Sequence, residues 1–232
     1  MCGRYALRRD VDELVALLEV EEVALDGGGG AGGAGGAPGG AAAAALALAA
    51  EPGAAAPVVL ERFRPGEPDA PPSRSLRTLR WGLVPAGAPD ASGGAACAPA
   101  AALLRDAALA PSALARRCLV PADAWSAPPG GADGRLAAED GSVLALAGVY
   151  DLWRDPASPP GGPARWLASF AVVTAAPGRG AAPGPLPLAV PRDLRDAWLD
   201  PTLDEAEDVA ALLQAVPLDR SGPALSTGPG GR

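Results

Sequence analysis

Two long runs of strand-forming residues constrain the fold of this 232-residue chain more than any other feature. One extends from Ser142 to Trp153, with a break expected near Gly148. The other covers Arg165 to Thr174 and reads Trp166-Leu167-Ala168-Ser169-Phe170-Ala171-Val172-Val173 at its centre. Valine and aromatic side chains suit a pleated, half-buried surface. Shorter strand patterns precede them: residues 3–9, Val58-Val59-Leu60, the stretch Leu76-Arg77-Thr78-Leu79-Arg80-Trp81-Gly82-Leu83-Val84-Pro85, and Arg116-Arg117-Cys118-Leu119-Val120-Pro121. Helical patterns do not alternate regularly with these strands, so a βαβ architecture is not expected. The reading is α+β: a single mixed domain around a mostly antiparallel β-sheet or open barrel with flanking helices.

The helices announce themselves locally. Asp10 followed by Glu13 has the form of a capping box, and Leu14, Leu17 and Leu18 recur at helical spacing behind it. Further helices are expected over 100–109, 193–199 and 203–213, the last with acids in its first turn. From Gly27 to about Ala50 glycine and alanine dominate. Such a stretch buries too little to offset its ordering entropy and reads as a flexible insertion. It is not a phosphate-binding loop, because no strand precedes it and no Lys-Ser/Thr ending follows. The domain is expected to span 1–220, with the Gly/Pro-rich residues 221–232 as a disordered tail.

Composition matters mainly through what it lacks. The chain has no histidine, lysine, asparagine or isoleucine. Without histidine no Ser-His-Asp or Cys-His arrangement can form. The three cysteines, at 2, 97 and 118, show no CxxC spacing, so neither a metal nor any other cofactor is expected. An odd, scattered set of cysteines without a secretory signal points to a reducing, cytoplasmic setting rather than a disulfide scaffold. No stretch approaches the length of a spanning helix, and no membrane partner is expected. The net charge of −8 argues against non-specific attraction to nucleic acid. The charge is unevenly spread, however, since arginines gather at 4, 8 and 9, at 62, 64, 74, 77 and 80, and at 116 and 117. A folded chain could thus present one positive face.

Chemistry is concentrated at the start, Met1-Cys2-Gly3-Arg4-Tyr5. Removal of Met1 leaves Cys2 with a free α-amine and a thiol on adjacent carbons. An α-amine of pKa about 7.7–8.0 is partly unprotonated at neutral pH and attacks aldehydes to give a Schiff base. The tethered thiol can then close a five-membered thiazolidine with the advantage of proximity. Gly3 lets the backbone pass close to a ligand, and Arg4 offers a planar fork suited to a phosphate. Trp81 beside Arg80 has the makings of a base-stacking platform with a phosphate contact, although a core tryptophan next to a surface arginine fits the same residues. Arg77 and Arg80 cannot share a face of their strand. Cys118, flanked by apolar residues, reads as a buried small hydrophobe.

Four separated stretches together resemble one family, the SOS response-associated peptidases, or abasic-site processing proteins. They are Met1-Cys2-Gly3-Arg4-Tyr5, Arg80-Trp81-Gly82-Leu83-Val84-Pro85, Arg116-Arg117-Cys118-Leu119-Val120-Pro121-Ala122-Asp123 and Asp196-Ala197-Trp198-Leu199-Asp200-Pro201, in matching order over nearly the whole chain. The resemblance implies that Cys2 becomes the N-terminal residue. It would trap the ring-opened aldehyde of an abasic site in single-stranded DNA as a thiazolidine, with Arg4, Arg77, Arg80 and Trp81 toward the DNA. It further implies a DNA-damage role, a monomer, and a cytoplasmic protein associated with the nucleoid when bound.

The departures from the family pattern are as informative. Where the family carries Asn-Ala-Arg-x-Glu, this chain has Cys97-Ala98-Pro99-Ala100-Ala101. Where it carries Gly-Phe-Tyr-Glu-Trp, this chain has Ala124-Trp125-Ser126-Ala127-Pro128, and its His-x-Arg-Met-Pro is replaced by Pro183-Gly184-Pro185-Leu186-Pro187. The family's Asn, Glu and His are therefore missing, while Cys2 stays. Two alternatives follow from the same residues. One is a binding protein that has kept the fold and lost the activity. The other is an N-terminal nucleophile amidohydrolase, in which the α-amine of Cys2 serves as base and no histidine is needed.

Overall fold

The computed structural model describes residues 3–25, 46–64, 66–67, 70–126, 135–138, 140–159, 161–175, 186–216 and 225–228. Strand β1 (Arg4–Arg9) leads into helix α1 (Val11–Leu18) and β2 (Glu22–Ala24). Then come β3 (Leu46–Ala50), β4 (Ala55–Arg62), β5 (Ser73–Trp81) and the short β6 (Cys97–Pro99). Helix α2 (Ala110–Ala115) precedes β7 (Arg117–Ala122), β8 (Ala124–Ser126), β9 (Arg135–Ala138) and the long strands β10 (Leu144–Arg154) and β11 (Trp166–Ala175). After β12 (Leu186–Pro187) and a 3-10 turn at Arg192–Leu194 follow α3 (Arg195–Leu199), α4 (Ala206–Ala215) and β13 (Leu225–Gly228).

The strands form two sheets. The larger has the order β12-β11-β10-β7-β4-β5-β2, and an additional parallel pairing of β11 with β5 joins Ser169 to Arg80 and Phe170 to Trp81. That pairing closes β11, β10, β7, β4 and β5 into a ring. The barrel expected as open is thus a closed five-strand mixed barrel, and its remaining seams are antiparallel. The smaller sheet, β13-β9-β8-β1-β3, carries the N-terminal strand next to its middle.

Strict alternation explains how the barrel strands bury both faces. Leu144, Leu146 and Tyr150 of β10 point with Val58, Leu60, Cys118, Val120, Phe170 and Val172 into one cluster. Ala145, Ala147 and Val149 point with Val59, Leu119, Ala171 and Val173 into another, which the helices cover through Leu14, Leu18, Ala113, Trp198 and Leu212. At about 25 cal/mol per Å² of apolar surface removed from water, this double burial is the main source of stability.

The structure departs from several expectations. β10 runs unbroken through Gly148, which pairs with Cys118 across the ladder. A Cβ on Gly148 would lie 2.8 Å from the Cys118 sulfur and 3.1 Å from a Val120 methyl, so this glycine makes room inside the barrel and does not break the strand. Residues 100–109 form turns, and the helix begins only at Ala110, where Pro111 suits a first helical turn. The last five residues of the Gly/Ala-rich stretch form β3, because Leu46–Ala50 pairs along β1. Leu225–Gly228 of the expected tail pairs with β9. Residues 27–45 of the insertion and the rest of the tail lie outside the described residues.

The N-terminal helix agrees with its local signals. Glu13 N–H donates to Asp10 Oδ1 at 2.7 Å and Asp10 N–H donates to Glu13 Oε2 at 3.4 Å, the reciprocal cap. Leu14 and Leu18 are buried and Leu17 is exposed, so the core-facing stripe is narrower than the leucine spacing implied.

Candidate functional site

Strand β1 is pinned on both sides. It pairs antiparallel with β3 and with β8, so that Tyr5 sits opposite both Ala50 and Trp125. Asp123, the last residue of the Pro-Ala-Asp stretch, clasps the far end of the same strand. Its carboxylate accepts from Arg8 N–H at 2.5 Å and from Arg9 Nε at 2.9 Å, and its own N–H donates to Ala6 O at 2.8 Å. Asp123 is therefore a positioning residue for the N-terminus, a role the motif itself did not reveal.

Gly3 is buried at the near end of β1. A Cβ built there would lie 2.0 Å from Ser126 O and 3.0 Å from Trp125 Cε2 and Nε1, so no side chain fits at this position. The close backbone approach expected of Gly3 is made toward β8 and its tryptophan. Cys2, on which the expected chemistry turns, lies outside the described residues, as does Met1.

Beneath Gly3 lies an aromatic cluster. Trp81 is fully buried, with its ring centroid 5.2 Å from Tyr5, 5.8 Å from Trp125 and 6.3 Å from Phe170, the last nearly parallel. Its Nε1–H donates to Ala96 O at 2.8 Å. Of the two settings that fit its sequence, a stacking platform and a core position, Trp81 takes the core one, because it occupies an inward-facing position of β5. Two polar atoms in the cluster, the Tyr5 hydroxyl and Trp125 Nε1, are buried without a partner among the described residues. Burial pushes the Tyr5 hydroxyl pKa far above its ordinary value, so it stays protonated.

The arginines singled out from sequence occupy different settings. Arg4 is half exposed and lies 3.7 Å from Glu51, which follows β3. Arg77 donates to Glu22 at 3.0 Å and to Ser75, and Arg80 donates to Ala91 O at 3.1 Å. Arg77 and Arg80 project from opposite faces of β5, as their spacing required.

The other family-like stretches hold the scaffold together. Arg117 is 3% exposed and spends its guanidinium on four carbonyls, those of Trp198, Ala113, Leu114 and Asp200. Trp198 Nε1–H returns a bond to Cys118 O at 2.9 Å. Burial pulls the Arg117 pKa below its usual value. After Trp81, Gly82 adopts φ 132° and its N–H donates to Phe170 O, while a Cβ on Gly94 would lie 2.6 Å from Gly82 O. Val84 N–H then bonds the Ser169 hydroxyl, and Ala86 N–H bonds Asp151, whose buried carboxylate also meets Arg116 at 3.2 Å. The Trp-Gly-Leu-Val-Pro turn is fixed to β11 and β10 in this way.

Cys97 opens β6, which pairs in parallel with β11 opposite Val172, and it packs against the aromatic cluster. Ala124, Trp125 and Ser126 form β8, while Ala127-Pro128 and Pro183-Gly184-Pro185 lie outside the described residues. Among the described residues no three His, Cys, Asp or Glu come together in a way that would hold a metal ion. None of their helices is long and apolar enough to cross a membrane. A pocket of about 440 Å³ lies away from Gly3, lined by Leu17, Leu18, Glu19, Arg74, Arg192, Asp193, Arg195 and Asp196. Its three arginines and three acids balance, which gives it no net preference for an anion.

Comparison with known proteins agrees with this fold. The family model described as SOS response associated peptidase (SRAP) matches residues 1–222. No curated protein matches the chain. Among solved structures, a phage-related protein from Bordetella bronchiseptica is 22% identical, with 100% of this chain and 95% of that one covered at a TM-score of 0.64. A second Bordetella bronchiseptica protein is 18% identical over 97% of this chain and 98% of its own, also at 0.64. A Bacteroides thetaiotaomicron protein is 17% identical over 69% of this chain and 68% of its own, at 0.51. At these identities the structures are similar in fold alone.

Proposed function

The chain belongs to the SOS response associated peptidase family, and we propose that it captures the ring-opened aldehyde of abasic sites in single-stranded DNA through Cys2. The observation that carries the reading is the seat of Gly3. The residue next to Cys2 is fixed by β8 on one side and by Trp125 beneath it. A nucleophile delivered from such a pinned backbone loses little orientation entropy on reacting.

The reaction uses only Cys2. Its neutral α-amine attacks the aldehyde carbon, the carbinolamine loses one water to give an imine, and the thiol then adds across the C=N bond to close the thiazolidine. Aldehyde and aminothiol thus combine with release of one water and no redox change. Arg4, half exposed on β1, would exchange Glu51 for a flanking phosphate. Arg80 and Arg77 are secondary contacts, and Arg77 would exchange Glu22 for phosphate. Trp81 supports the site from below. General acid–base assistance is typically worth ~10²–10⁴ in rate, so a chain without the family's Asn, Glu and His cross-links slowly.

The test is incubation of Met1-processed protein, verified by mass, with an oligonucleotide carrying one abasic site. A denaturant-resistant adduct is expected, absent with Cys2→Ala and absent when Met1 is retained. An adduct that persists with a blocked α-amine would overturn the mechanism. The second reading, a fold-retaining binding protein, is favoured by Cys97 standing where the family has asparagine. It predicts no adduct at all and DNA affinity unchanged by Cys2→Ala.

A further inference from the structure

The three cysteines of the chain have separate fates. Cys118 is a free thiol on the inner face of β7, fully buried, opposite Gly148. Burial pushes its pKa far up, which removes the thiolate needed for exchange. Cys97, in contrast, is disulfide-bonded and only half-buried at the start of β6. Contacts connect its position to the N-terminus. The Ala96 carbonyl beside it accepts from Trp81 Nε1, Trp81 packs on Trp125, and Trp125 is the residue against which Gly3 is seated. Gly3 and Cys97 thus border one aromatic cluster, and with Cys118 free, the chain holds one other cysteine.

We propose that Cys97 is a resolving thiol for Cys2, closing an intramolecular disulfide that withdraws the Cys2 sulfur from aldehyde capture. The proposal rests on the reading of Cys2 as the nucleophile and adds its regulation. In a reducing compartment, the setting expected from the scattered cysteines, disulfides are characteristically transient and catalytic or redox-sensing. With hydrogen peroxide as oxidant the balance is simple. The Cys2 thiolate attacks the peroxide, breaking its O–O bond, and becomes a sulfenic acid with release of one water. The Cys97 thiolate then attacks that sulfur, the S–S bond forms, and a second water leaves. Two thiols give up two electrons and two protons, and one peroxide becomes two waters. A dithiol reductant reverses the step by exchange.

The oxidised chain keeps its α-amine. It can form the imine but cannot close the thiazolidine, so the redox state decides between a durable cross-link and one that water reverses. The second thiol also protects the first: a sulfenic acid that is not resolved proceeds to the sulfinic level, which dithiols do not reverse.

The experiment uses the full, Met1-processed chain, reduced or treated with equimolar hydrogen peroxide. Peptide mapping without reduction is expected to show the Cys2 peptide joined to the Cys97 peptide, lighter by two hydrogens than the pair of thiols, with Cys118 unmodified in the native state. Denaturant-resistant adduct with abasic single-stranded DNA should fall at least ~10-fold on oxidation, as the thiolate is lost. Borohydride should still capture the imine, and dithiothreitol should restore adduct formation. In Cys97→Ser, with both proteins challenged instead by excess peroxide so that an unresolved sulfenic acid passes on to the sulfinic level, and each normalised to its own unchallenged level, dithiothreitol should restore less adduct than in the parent. Absence of the linked peptide, or recovery of Cys97→Ser equal to the parent, would overturn the proposal. If the reduced parent forms no adduct, the abasic-site reading fails, while the peptide map still decides the disulfide independently.

Discussion

Tyr5 shows how closely structure and chemistry are joined at a single residue. Its ring is 1% exposed and packs on Trp81 at 5.2 Å, while its hydroxyl has no partner among the described residues. Leaving a buried donor unsatisfied costs about 1–3 kcal/mol, and removing the polar atom without changing the shape relieves that cost. Tyr5→Phe is therefore expected to raise the unfolding free energy by about 1 kcal/mol, read as a higher urea midpoint at unchanged slope. A fall in stability would show that the hydroxyl is satisfied in solution. Its neighbour Gly3 follows the opposite rule, since even a methyl group there would overlap the Ser126 carbonyl. The sequence pointed to Gly3 for its freedom of approach, but which backbone it approaches became visible only once β1 and β8 were paired.

The end of α1 carries a comparable tension at the scale of an element. The helix stops at Glu19, which adopts a left-handed conformation with φ 55° and whose N–H bonds Val15 O. Glycine is the usual residue there, because the left-handed region costs a side-chain-bearing residue roughly 1–2 kcal/mol. Glu19→Gly is expected to stabilise the protein by about 0.5–1 kcal/mol. The ion pair it forfeits, 3.7 Å to Arg192 between two exposed side chains, is worth little. Thermal or urea unfolding checks this, and a lower midpoint would contradict it. The same helix was legible in advance because its cap is local, Asp10 and Glu13 three residues apart. The barrel strands were legible as strands but not as a barrel. Leu144–Arg154 buries both faces, so its pattern lacks the polar alternation that would orient it, and Gly148 read as a break where the fold needed space. The turns over 100–109 were mistaken for a helix because alanine favours one wherever packing does not intervene. β3 was hidden in the Gly/Ala stretch because its pairing with β1 joins segments far apart in sequence. At the site, Cys2, Gly3 and Arg4 could be named from chemistry alone, whereas Asp123, Trp125 and Tyr5 act through cross-strand contacts that no local spacing encodes.

For the molecule as a whole, the charge sets the terms of DNA binding. With a net charge of −8, association cannot draw on a broadly positive surface. Of the arginines proposed to meet DNA, Arg77 is paired with Glu22 at 3.0 Å and Arg4 more loosely with Glu51 at 3.7 Å, and the half-exposed Arg4, one residue from Gly3, is the proposed phosphate contact. Binding of single-stranded DNA should therefore depend only weakly on salt. Arg4→Ala should reduce the slope of log affinity against log salt by roughly 0.7, the increment of one phosphate on a single strand. A titration from low to moderate salt measures this, and an unchanged slope would remove Arg4 from the interface. The clasp of Asp123 on Arg8, 115 residues apart in sequence, has a further consequence. During synthesis β1 is made before both its partners, β3 following within 50 residues, whereas β8 and the clasp come more than halfway along the chain. The N-terminal strand can pair with β3 early, but it must wait, held on one side, while β4, β5 and β7 of the barrel are made. Contacts of such long range are slow to form, so the strand that leads from the proposed nucleophile is built long before it is held on both sides.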